Sequence, residues 1–182
     1  MTATTIPRLV AEALALLGGS LFLLAACTKL ATPRSAMIEP LTALGFPASR
    51  AEAVPIPLGL AELVAAVAIV LERGPLASFL VALLAVLFLG AGVLSLTRGV
   101  RVTCHCFGSG GGRLGWPQVT TFPLWLAVAA LPWIPSFTDA SQEQRWLAFT
   151  ALVGVVFAVL AARTIRLYLA ARALRLAIGP MR

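Results

Sequence analysis

From Leu76 to Leu96 not one residue is charged, and four other stretches of the chain come close to that. A helix needs about 20 predominantly apolar residues to cross the hydrocarbon core of a bilayer. Lipid offers no water to the backbone, so the N–H and C=O groups of such a run must be satisfied within it, and the run is helical. The candidate spans run from about Ile6 to Leu30, Val54 to Leu71, Leu76 to Leu96, Val119 to Ile134 and Trp146 to Ala162. The fourth is short and interrupted by Pro123 and Pro132. The fifth is expected to continue as a basic helix through Arg163, Arg166, Arg172 and Arg175. Only Glu72, Arg73, Gly74 and Pro75 separate the second span from the third, which predicts a tight antiparallel hairpin.

Composition excludes the main alternatives. The chain is 60% hydrophobic and 12% charged, against about 45–50% and ~25% in soluble domains. A soluble enzyme, a free nucleic-acid binder and a disordered tail are therefore ruled out as classes. The net charge of +7 belongs to loops that flank spans, so the expected partner is the lipid bilayer and not nucleic acid. Connectivity places the loop after span one, the loop after span three and the C-terminal tail on one membrane face. That face holds 11 of the 14 basic residues, and Arg8, Arg73 and Arg145 lie on the other. The positive-inside rule makes the richer face cytoplasmic. Leu24-Ala25-Ala26-Cys27 has the form of a lipoprotein cleavage site, but one Arg precedes it and Glu12 interrupts the apolar stretch, so it reads as a small-residue turn of an uncleaved helix.

The motif that carries chemistry is Thr103-Cys104-His105-Cys106-Phe107-Gly108, followed by a glycine run and Leu114-Gly115-Trp116. Two thiols one residue apart close only a small, strained disulfide ring, and strain makes the bond easier to give up to another thiol. The thiolate is the reactive form, and cationic neighbours stabilise it. Arg101 and Arg113 flank the pair, and His105 sits inside it, placed to shuttle protons near neutral pH. Incidental loop cysteines are the bland alternative. No metal is expected, since structural zinc takes four ligands with wider cysteine spacing. Haem attachment needs C-x-x-C-H, which is absent. Cys27, on the same face, is either a resolving thiol or a small apolar packing group.

Glu62 lies mid-way along span two. A carboxylate at that depth is costly and marks a functional site by default. Gly59 and Ala66 sit one turn to either side, so its face packs closely against another helix. Glu62 is then either a proton carrier or a structural, hydrogen-bonded carboxylate met by Lys29 snorkelling from the end of span one. Arg8 and Glu12, one turn apart, read as an interfacial ion pair. Trp116, Trp125, Trp133 and Trp146 read as an aromatic belt. A quinone is a candidate redox cofactor, although no spacing in the chain calls for one.

Three segments in order resemble the MauE-type proteins of methylamine utilisation, within the broader DoxX-like membrane group. Cys27-Thr28-Lys29-Leu30 with Pro33 is similar to that family's end of helix one. Pro57-Leu58-Gly59-Leu60-Ala61-Glu62-Leu63 is similar to its opening of helix two. Cys104-His105-Cys106-Phe107-Gly108 with Leu114-Gly115-Trp116 resembles its C-x-C-F-G signature and the entry to helix four. The resemblance covers about residues 8–135. It implies a four-helix core that assists disulfide formation, as in maturation of the disulfide-rich small subunit of methylamine dehydrogenase. That role falls on Cys104 and Cys106, with Lys29 and Glu62 as lesser candidates. Making disulfides in exported proteins calls for the outer face, whereas the charge count puts these cysteines inside.

The expectation is an all-α integral membrane bundle over residues 1–182, with four core transmembrane helices and a fifth C-terminal helix over about 146–175 ending in a basic tail. The expected activity is that of a thiol–disulfide oxidoreductase of the inner cell membrane, exchanging with a thiol-bearing protein substrate or redox partner. The rivals are a non-enzymatic membrane subunit or chaperone that docks a partner, and a small-solute transporter.

Overall fold

A computed structural model describes residues 5–32, 34–71, 74–103, 112–134 and 141–178. Helix α1 spans Thr5–Ala31, α2 Arg34–Ala43, α3 Ala48–Ala53, α4 Pro55–Leu71, α5 Pro75–Thr97, α6 Trp116–Ala130 and α7 Gln142–Ile178; a 3-10 turn, Leu131–Trp133, extends α6. Among the described residues the only β pairing is an isolated antiparallel bridge, Thr103 with Arg113. Four helical stretches are long and apolar enough to cross a membrane: Leu9–Ala31, Ala48–Leu71, Pro75–Thr97 and Gln142–Arg166.

Helix α6 is a short crossing. Pro132 has no N–H for the α-ladder, so the chain tightens into a 3-10 turn there. Fifteen α-helical residues and three 3-10 residues cover about 28 Å, close to a hydrocarbon thickness of ~30 Å. Helix α6 starts beside the end of α5, and α7 starts beside the end of α4, where Arg145 donates to the Leu71 carbonyl at 3.2 Å. The segment therefore carries the chain from one end of the bundle to the other. Helix α7 begins four residues before the predicted fifth span and continues to Ile178. At 37 residues it is about 55 Å long, well over the ~30 Å that lipid tails cover.

The core is built from small residues, which let helices approach closely without a hydrophobic effect to drive them. Ala15 and Phe22 of α1 meet Ala66, Ile69 and Val70 of α4 in its centre, with Val81 of α5 and Val128 of α6 alongside. Among the described residues, helix α7 joins along one edge, through Ala148, Phe149, Leu152 and Val156. Trp116, Trp133 and Trp146 are exposed, as a belt requires. Trp125 departs from that pattern: its ring packs on Phe22 at 4.7 Å between centroids.

The segment after α1, where no helix is expected from the pattern of residues, folds as α2 and α3. A Schellman cap ends α2: Phe46 N–H donates to Leu41 O and Gly45 N–H to Thr42 O, with Gly45 at φ +87°. The same cap ends α5, where Val100 N–H donates to Ser95 O and Gly99, at φ +63°, donates to Leu96 O. Arg98 donates to the Leu44 carbonyl and ties the two caps together. The loops after α1 and after α5 thus share one end of the bundle.

Candidate functional site

At that end, α1 and α4 each direct one charged side chain into the bundle. Lys29 is in the last turn of α1, and its side chain is 3% exposed; Glu62 is fully buried. The Lys29 ammonium donates to both carboxylate oxygens of Glu62, at 2.6 and 2.8 Å. Close approach of the helices makes this reach short. Gly59, one turn before Glu62, is buried against α1, and a side chain there would meet the Lys29 Cβ at 3.6 Å. Lys29 therefore reaches Glu62 from the end of α1. It turns inward, because an unpaired carboxylate in this setting costs several kcal/mol. The face of Phe88, on α5, lies 5.6 Å from the Lys29 nitrogen, within reach of a cation–π interaction.

Beside the pair lies a cavity of about 470 Å3. Met37 and Leu41 of α2 with Leu44 form one wall, Leu58 of α4 a second, and Phe88 and Gly90 of α5 a third; among the described residues Lys29 is the single charged group that lines it. Leu114, next to Arg113 in the chain, also lines it. Its N–H donates to Val102 O at 2.9 Å, next to the Thr103–Arg113 bridge. Further on, the Gly115 N–H donates to Gln118 Oε1 at 2.7 Å and opens α6. Thr103 and Arg113 thus lie side by side.

Cys104, His105 and Cys106 lie outside the described residues. Their neighbours Arg101 and Arg113 are exposed. Cys27 carries a free thiol and is half-buried. Glu12 is half-buried on α1, while the side chain of Arg8 is outside the described set. Among the described residues no cluster of three or more His, Cys, Asp or Glu side chains is placed to hold a metal. The sequence reading brought Lys29 and Glu62 forward but missed the cavity. The spacing of Met37, Leu41 and Leu44, at i, i+4 and i+7, marks one face of a helix and was the available signal.

No curated protein and no solved structure matches this chain. The family model of the methylamine utilisation protein MauE matches residues 7–136, a stretch that includes the Lys29–Glu62 pair, the cavity and the cysteine motif. The protein is a multi-pass membrane protein and belongs to the MauE family.

Proposed function

We propose that the protein carries out thiol–disulfide exchange through Cys104 and Cys106 at the surface of the inner cell membrane. A partner thiolate attacks one sulfur of the Cys104–Cys106 disulfide and forms a mixed disulfide, releasing the other cysteine as a thiolate. A second partner thiol then displaces the bound cysteine. The partner gains a disulfide, and Cys104 and Cys106 take up its two electrons and two protons as thiols. Arg101 and Arg113 favour the thiolate form, and His105 exchanges protons with it.

The observation that carries this reading is the Thr103–Arg113 bridge. It joins Thr103 and Arg113, the described residues on either side of the cysteine motif, and Leu114, next in the chain, lines the cavity. Thiol trapping on isolated membranes tests the reading. Cys104 and Cys106 are expected to take up alkylating reagent after treatment with reductant and to resist it after oxidation, in equal amounts. Two thiols that stay alkylatable under every oxidising condition overturn it.

A further inference from the structure

The Lys29 ammonium has three N–H donors, and Glu62 accepts two of them. No oxygen or nitrogen among the described residues accepts the third. An incompletely satisfied donor that is 97% buried calls for a partner, and Lys29 lines a cavity whose other walls are apolar. The cavity volume, about 470 Å3, is in the range of small-molecule sites. Val86, Leu87 and Gly90, on the exposed side of α5, form its rim, so it opens on the apolar perimeter of the bundle and is reached from lipid.

These features select the ligand. Glu62 neutralises Lys29 from behind, so the site offers an anionic headgroup no net positive charge. A neutral molecule with a carbonyl oxygen, a flat ring to lie against Phe88 and an apolar tail to follow the rim fits on all counts. The exchange reaction adds a requirement: each turnover leaves Cys104 and Cys106 as thiols, and something must take away two electrons and two protons. We infer that the cavity between α2, α4 and α5 binds a prenylated quinone, with one quinone carbonyl accepting the third Lys29 N–H. Two S–H bonds break, one S–S bond forms, and the quinone leaves as a quinol with two new O–H bonds. The binding site stands on the cavity; its electron transfer rests on the dithiol reading above.

The test uses the full chain in nanodiscs of quinone-free phospholipid, with a ubiquinone bearing one isoprene unit as the probe. Calorimetric titration is expected to give saturable binding of one quinone per chain. Gly90→Leu blocks the rim without touching the ion pair: a Cβ at Gly90 meets nothing within 4 Å, and leucine favours helix over glycine. This variant should insert normally, keep its helix content and lose at least tenfold in quinone affinity. The double variant Cys104→Ser/Cys106→Ser should bind the quinone as the wild type does. Only the pre-reduced wild type should convert it to quinol, followed by ultraviolet absorbance. Absence of saturable binding, wild-type affinity in Gly90→Leu, or equal competition by a saturated alkyl chain overturns the site. Normal binding with no quinol formed by the reduced wild type overturns the dithiol reading and leaves the site standing.

Discussion

Lys29 and Glu62 compensate each other, and that compensation decides how substitutions at either position behave. Removing one member of a buried pair strands the other charge and costs about 3–5 kcal/mol, whereas replacing both by apolar groups is often neutral. Glu62→Leu is therefore expected to lower the accumulation and thermal midpoint of the purified protein sharply. Lys29→Met/Glu62→Leu should return the unfolding free energy to within about 1–2 kcal/mol of the wild type. Circular dichroism melts in detergent compare the three proteins; a double variant as unstable as the single one would show that the pair has no shared energetics. Glu62→Gln belongs with Glu62→Leu here, since the amide nitrogen would present a donor to an ammonium that now meets two acceptors. Glu62 was legible in the sequence because a carboxylate inside an apolar run stands out. The meeting of Lys29 with Glu62 was legible as one of two readings of that carboxylate; the close helix approach at Gly59 that makes it short shows only in the packing.

At the scale of the helices, α5 and α6 meet over glycine. A Cβ on Gly92 would lie 2.8 Å from the Cβ of Gln118 and 3.0 Å from the carbonyl oxygen of Gly115. The second contact is backbone, which cannot swing aside. Gly92→Ala should push α6 away and disturb the Gly115–Gln118 hydrogen bond that starts it, at a cost of about 1–3 kcal/mol. Gly154→Ala, on an open face of α7, should be neutral or slightly stabilising. Thermal melts of both variants separate the two cases, and equal midpoints would refute the close contact. The long helices were readable because lipid leaves an apolar run only one backbone solution. Helices α2 and α3 were hidden by mixed composition and by Pro40, which sits inside α2. The cavity escaped for a related reason: Val86 and Leu87 look like any lipid-facing residues until α2 is known to lie beside them.

For the whole molecule, the even alternation of ends makes orientation a single yes-or-no property. By loop order in the sequence, the face that holds Lys29 carries 11 basic residues against 3 on the other, and the charge rule predicts that this face is cytoplasmic. An impermeant thiol reagent applied to whole cells after reduction should leave Cys104 and Cys106 unlabelled. Efficient labelling from outside would reverse the orientation and make exported proteins the exchange partners.

The buried pair also has an electrical consequence. Lys29 and Glu62 together carry no net charge, so wherever they sit in the membrane's electric field their position costs the same at any voltage. A lone charge there does not share that indifference, since moving one elementary charge through the full field is worth about 2.3 kcal/mol per 100 mV. By holding each other, the two residues add no net-charge contribution to the bundle's stability when the membrane is energised.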